Sequence, residues 1–320
     1  HHLSDDGLWA SRIAQCPFAF SVALSGTPMV SDPTTLFGVP FEVRNNNGVK
    51  EQYYVALHEV SLRDAHQEGK ILKRVAVHVI DYKIKMTRTD TGDMVELSLA
   101  QMADMTKSKS DVDAFLARKK LRVHDVYLQS LLQPAFERFA EKRRALQQER
   151  LANGSYGTQM RNHQMLVIAM SNKHASAILE YIQQYFPGVS AARIGQDVPE
   201  QERLKLLDDY RNGMIDVMVQ VDMIGEGTDI KPISVIVKAD LVRAFSKTMQ
   251  QIFRGMRYYD GFSEESNVCD IYAANDSGVV HILEWISNEE QFGIKLKKER
   301  LLDEIIERAT PVQQESMWEL

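Results

Sequence analysis

Apolar positions along this chain follow two regimes, divided near residue 161. Beyond that point, short apolar runs alternate with longer stretches in which apolar residues recur every three or four positions. The runs at 165–170, 189–194, 217–221, 235–239 and 268–273 read as buried strands. The stretches at 175–186, 199–212 and 245–256 read as amphipathic helices, with Gly213 as the stop of the second. Strands and helices alternating at this cadence call for an α/β fold, a parallel sheet with helices on both faces. Two further helices, from about 278 and 295, are expected to complete the sequence.

Before residue 161 the pattern is mixed. An apolar run at 18–24 enters a sharp loop, Ser25-Gly26-Thr27-Pro28, and Asn45-Asn46-Asn47-Gly48 signals a turn ahead of a strand at 51–60. Residues 62–68 predict a short helix ended near Gly69. Residues 75–86 alternate as a strand and predict a hairpin with 94–99 across Asp90-Thr91-Gly92-Asp93. From 110 to 152 the period is helical, Val126 counting among the apolar positions, and Pro134 is expected to split the stretch in two. Asn153 to Gly157 reads as a flexible boundary.

Composition narrows the class. With 44% hydrophobic and 26% charged residues the chain has the make-up of an ordinary soluble globular protein. No apolar run nears the roughly 20 residues of a membrane helix, no secretory signal is read at the start, and a cytoplasmic location is expected. Cys16 and Cys269 each lie in an apolar stretch without a second ligand, so neither zinc, another metal nor a disulfide is indicated. A net charge of −6 argues against a polyanion binder with a uniform surface. The charge is uneven, however: lysines and arginines crowd 107–161, Arg143 and Arg144 among them. That run reads either as a solvated helical face or as a grip on phosphates.

Candidate chemistry concentrates in two segments. Gly225-Glu226-Gly227-Thr228-Asp229-Ile230 follows the strand at 217–221, where loops at the carboxyl ends of a parallel sheet meet ligands. Its glycines permit close backbone approach, and Asp229 offers an acceptor to a ribose or to an arginine. Gln250-Gln251-Ile252-Phe253-Arg254-Gly255-Met256-Arg257 places Gln250, Arg254 and Arg257 at helical spacings of four and three, on one face. Two guanidinium groups so placed could reach a single polyanion. Each feature alone is commonplace: a plain loop, a surface helix with arginines.

Together they resemble superfamily 2 helicases and translocases. Gly225–Ile230 looks like motif V, Gln250–Arg257 like motif VI, and Leu24-Ser25-Gly26-Thr27-Pro28 like motif III. Residues 165–172 are similar to motif IV, and Glu202-Arg203 with Tyr210-Arg211-Asn212-Gly213 to the segment that follows it. The restriction-enzyme and phage-type branch is the nearest. The resemblance implies a RecA-like α/β fold with an α+β insertion and C-terminal helices. Its expected divisions are the tail of a first lobe at 1–43, a linker or insertion at 44–160, a second lobe at 161–275 and helices at 276–320.

By the same resemblance, ATP and Mg2+ lie between two lobes. Arg257 would act as the finger and Arg254 would bind the terminal phosphate. Gln250 would sense the nucleotide, Gly225, Glu226, Gly227, Thr228 and Asp229 would line it, and Ser25, Gly26, Thr27 and Pro28 would couple hydrolysis to lobe movement. Asn172 and Lys173 are candidates for contact with nucleic acid, DNA ahead of RNA, with Arg143 and Arg144 adding grip; for Asn172, capping of the next helix is the competing role. Subunits of a restriction, defence or repair complex are possible partners. No Gly-x-x-x-x-Gly-Lys-Ser/Thr occurs in these 320 residues, so the chain alone is expected to hydrolyse no ATP. His1-His2 could end a metal-binding motif II or belong to a purification tag. Phe253 replaces the family's usual glycine and Val221 its usual threonine, which keeps a second reading open: a degenerate, non-catalytic lobe serving as a nucleic-acid or protein interaction module. A third, an unrelated α/β nucleotide enzyme with Gly225-Glu226-Gly227 cradling a diphosphate, gives no account of Ser25–Pro28.

Overall fold

In a computed structural model, the described residues are 29–30, 41–46, 49–54, 60–81, 83–87, 94–98, 122–154, 161–221, 229–240, 245–275 and 277–309, with a few single positions besides. Strands β1 (Met29–Val30), β2 (Phe41–Asn46) and β3 (Val49–Tyr54) form an antiparallel sheet in the order β1-β3-β2, with Asn46 opposite Val49. Helix α1 (Leu62–Glu68) matches its expected span. Ser61 accepts from the Asp64 N–H while the Asp64 carboxylate accepts from the Ser61 N–H, a reciprocal cap that fixes the first turn.

Strand β4 (Arg74–Ile80) departs from expectation. Rather than running on into the hairpin, it ends at Ile80, and a separate pair, β5 (Lys83–Thr87) and β6 (Met94–Ser98), makes the antiparallel hairpin. β4 itself becomes the edge of the main sheet.

The elements that follow are α2 (Asp125–Ala152), β7 (Gln164–Ile168), α3 (Asn172–Tyr185), β8 (Ala191–Ile194), α4 (Glu200–Arg211), β9 (Val217–Gln220), β10 (Ile233–Lys238), α5 (Phe245–Met256), β11 (Val268–Ala274) and α6 (Ser277–Ala309). The six-stranded sheet runs β4-β11-β10-β7-β9-β8, parallel at every pairing. Successive residues of a strand point to opposite faces, and both faces here are dry. Met165 and Val167 enter a core with α2 and α3, while Leu166 and Ile168 enter one with α4, α5 and α6. This is the expected α/β architecture, a parallel sheet with helices on both faces. The connection after Gln220 must return the chain to the opposite end of the sheet before β10 can run parallel, which decides where Asp229 lies.

Three helical expectations change. Pro134 lies inside the single helix α2 rather than dividing it. A proline there forfeits one backbone hydrogen bond, but the buried stripe Leu128, Leu131, Leu132, Ala135, Phe136 and Phe139 continues across it and holds the helix to the sheet. Val126 is exposed, outside that stripe. The two expected C-terminal helices are the one helix α6; Gly293 lies within it where α1 approaches so closely that a Cβ would stand 2.6 Å from the Arg63 carbonyl oxygen. None of the helices is long and apolar enough to cross a membrane among the described residues.

Among the described residues of the basic run, several side chains are engaged by the fold. Lys142 and Arg138 of α2 bind the buried Asp270 of β11 at 2.7 and 3.1 Å, and His78 of β4 meets the same carboxylate at 2.9 Å. Burial alone would raise the Asp270 carboxyl; Lys142, His78 and Arg138 reverse that and hold it below the usual carboxylate range. Arg143 pairs with Asp216, and Arg150 donates to the Arg161 carbonyl.

Candidate functional site

Residues 229–232 reach the amino end of β10, and the Gln164 N–H of β7 binds the Pro232 carbonyl there. Asp229 therefore sits at the amino end of the sheet, not beyond the carboxyl ends as expected from sequence. Helix α5 starts after the carboxyl end of β10 and runs back along the sheet, delivering Arg254 in its last turn and Arg257 one residue past its end. Arg257 is thus not on the helical face shared by Gln250 and Arg254. It enters an antiparallel bridge with Leu72 instead. There its Nη1 donates to Asp229 Oδ1 at 2.9 Å. Arg254 and Gln250 are half-buried on α5.

Gly255 lets α5 approach this closely. A Cβ at that position would stand 2.7 Å from Cys269 Sγ and 2.8 Å from Ile236 Cδ1, so the helix end rests on β10 and β11 with no room for a side chain. Phe253, at the place of the usual motif glycine, packs partly buried beside the core on that face.

Lys73 is a member of this site that the sequence does not announce. Its side chain is fully buried, and its ammonium donates to four backbone carbonyls: Lys231 at 2.5 Å, Ile233 at 2.8 Å, Gly255 at 3.2 Å and Arg257 at 2.7 Å. The Lys73 N–H also donates to the Met256 carbonyl. Burial pushes Lys73 down to about 7, while Asp229 and the thiol of Cys269 act in the opposite direction. The cation lies at a helix C-terminus, where the carbonyl dipoles favour positive charge. A lone lysine before a half-apolar strand carries no sequence signal of such a role.

Asn172 and Lys173 open helix α3 at the carboxyl end of β7, the other end of the sheet from Arg257. The cap of that helix is Ser171, whose side chain accepts from the His174 N–H, so capping does not fall to Asn172. Asn172 lies against Gly195, where an added Cβ would stand 2.4 Å from its Oδ1; Lys173 is exposed. Arg143 is held by Asp216 just ahead of β9, and the exposed Arg144 follows it on α2, so neither joins the Asn172 cluster. Gly225, Glu226, Gly227 and Thr228, Ser25, Gly26, Thr27 and Pro28, and His1 and His2 lie outside the described residues. Among the described residues no group of three or more His, Cys, Asp or Glu side chains is placed to hold a metal ion. Nothing among the described residues fits magnesium.

Comparison with known proteins meets this geometry. Residues 141–259 match the helicase conserved C-terminal domain family. That match takes in β7 to α5 and both members of the Asp229–Arg257 pair. The UvrABC system protein B of Anaplasma marginale (strain Florida) is 31% identical over 112 residues, which cover 33% of this chain and 17% of that protein. A 51.5 kDa protein of a Lactococcus phage (isolate 7-9) is 37% identical over 71 residues, covering 22% of this chain and 16% of its own length. The chain therefore spans about a sixth of the length of these relatives. Among solved structures, the C-terminal domain of the DEAD-box protein Dbp5 aligns over 41% of this chain and 71% of its own at 21% identity, TM-score 0.32. Domain 2 of the DEAD-box helicase Mss116p bound to an RNA duplex aligns over 48% and 56% at 13% identity, TM-score 0.33.

Proposed function

We propose that this chain supplies the second lobe of an ATP-driven nucleic-acid helicase or translocase and brings the arginines that complete its nucleotide site. The observation that carries the reading is the Arg257–Asp229 pair, set at one end of a parallel sheet inside the segment that matches the helicase C-terminal family. Phosphoryl transfer spreads negative charge over the transferred group, and catalysis rests on positive charge fixed in advance where that charge develops. Arg257 is the finger, Arg254 the partner for the terminal phosphate, Gln250 the nucleotide sensor, and Asp229 the acceptor that aligns Arg257. The phosphate-cradling loop comes from a different lobe, and Ser25 to Pro28 transmit hydrolysis to lobe movement.

Nucleic acid, DNA ahead of RNA, passes the carboxyl end of the sheet at Asn172 and Lys173. A chain that binds nucleotide at one end and strand at the other can convert closure of the first site into a step at the second. The phage relative supports placing the protein in the restriction and phage-type branch.

The test is Arg257→Ala in the full-length protein. Nucleic-acid-stimulated hydrolysis falls on the order of a thousandfold, while nucleotide affinity, read by equilibrium binding, stays near wild type. Unchanged turnover would remove Arg257 from the mechanism and favour the non-catalytic interaction lobe.

A further inference from the structure

We infer that Lys73 is the positioning residue that sets the distance between Arg257 and Asp229, an inference that rests on the catalytic reading of that pair. The two partners belong to separate arms of the chain. Asp229 stands two residues before Lys231 and four before Ile233; Arg257 leaves the end of α5 just after Gly255. Their own ion pair is partly exposed, with 39% and 54% of the side chains accessible. An ion pair in that setting contributes on the order of 0–1 kcal/mol and does not hold a geometry by itself. The geometry comes from the backbone beneath it.

Lys73 joins the two arms there. One ammonium takes Lys231 and Ile233 carbonyls from the first arm and Gly255 and Arg257 carbonyls from the second. Its three hydrogens are shared among four acceptors drawn from both arms, so moving either arm away gives up bonds to the ammonium. None of those four acceptors is a carboxylate; the charge meets backbone dipoles there, while across space Cys269 and Asp229 favour it and Lys142 and Lys231 oppose it. Leu72 and Ile71 extend the same tie, through the bridge to Arg257 and the bond from the Tyr258 N–H to the Ile71 carbonyl. Residue 73 lies well before the matched segment 141–259. The chain thus tunes its arginine from a part that the likeness does not cover.

Steady-state hydrolysis, nucleotide affinity and thermal unfolding of the full-length protein provide the test, for Lys73→Met, Lys73→Gln, Arg257→Ala and the Lys73→Met/Arg257→Ala double variant. A finger displaced by about an ångström loses on the order of a hundredfold in kcat. Lys73→Met therefore shows a loss of that order with nucleotide affinity near wild type. Lys73→Gln, which keeps two N–H donors, falls between it and wild type. The double variant is no slower than Arg257→Ala alone, because Lys73 acts only through the arginine. Losses that multiply in the double variant, wild-type kcat in Lys73→Met, or failure of both Lys73 variants to fold would each overturn the inference. If Arg257→Ala itself turns over normally, the reading of Arg257 has failed first. If only the Lys73 variants are fully active, the arginine stands and the positioning role is gone.

Discussion

Arg257 and Asp229, 28 positions apart in sequence, meet at 2.9 Å at the amino end of the sheet. Both remain open to solvent, so the pair has little to do with holding the fold. Asp229→Ala and Arg257→Ala, each measured by chemical denaturation, change unfolding free energy by about 1 kcal/mol or less. A larger loss would show that the pair is structural.

Gly255 predicts the opposite balance. Gly255→Ala forces a methyl group against Cys269 Sγ and Ile236 at under 3 Å. Overpacking of this kind destabilises by about 1–3 kcal/mol, and adding Cys269→Ala recovers part of that loss. Urea unfolding of Gly255→Ala and of the Gly255→Ala/Cys269→Ala double variant checks both statements; an unaffected Gly255→Ala would mean that α5 is free to lift from β10 and β11.

The parallel sheet and α5 were legible because buried strands carry continuous apolar runs and α5 a sharp amphipathic period: the expected span 245–256 is the observed one. The end of the sheet at which Asp229 lies was not legible, because it depends on how a connection returns between parallel strands rather than on any residue in it. β4 read as a hairpin arm for a related reason. Val75, Val77 and Val79 alternate as any half-buried strand does, and the partner that settles the matter, β11, lies almost two hundred residues on. Lys142 read as part of a solvated or phosphate-gripping run, since nothing local announces the buried Asp270 it serves. Lys73 had no signal at all.

His163 and His174 are fully buried, and burial pushes them down to about 2 and about 4. Nearby cations add to this, Lys142, Lys73, Arg150 and Arg143 at His163 and Arg122 at His174. Below about pH 6.5 the unfolded chain binds protons at these positions that the folded chain refuses. The stability they contribute is complete above 6.5 and falls as pH drops, through about 4 for His174 and lower still for His163. The slope is on the order of 1 kcal/mol per pH unit for each histidine. Denaturation midpoints between pH 7 and 5 record it, and the His163→Gln/His174→Gln variant has a flatter profile.

Nucleic-acid affinity should distinguish the two basic clusters. Lys173→Ala lowers the slope of log K against log salt by about 1, as loss of one phosphate contact does. Arg144→Ala, far from Asn172, leaves that slope unchanged. The reverse result would move the strand to the α2 side of the molecule.

Strand β4 sets a limit on how this protein can be divided. A fragment begun at residue 141, where the helicase likeness starts, would lose β4 and sever α2 in its middle. The flank of β11, from Val268 to Ala274, would then present an uncovered row of amide and carbonyl groups, with Asp270 stripped of Arg138 and His78. Such a seam invites a second copy to add its own strand. Clumping of that fragment in solution would reflect where it was trimmed, and would say nothing about how the intact polypeptide assembles.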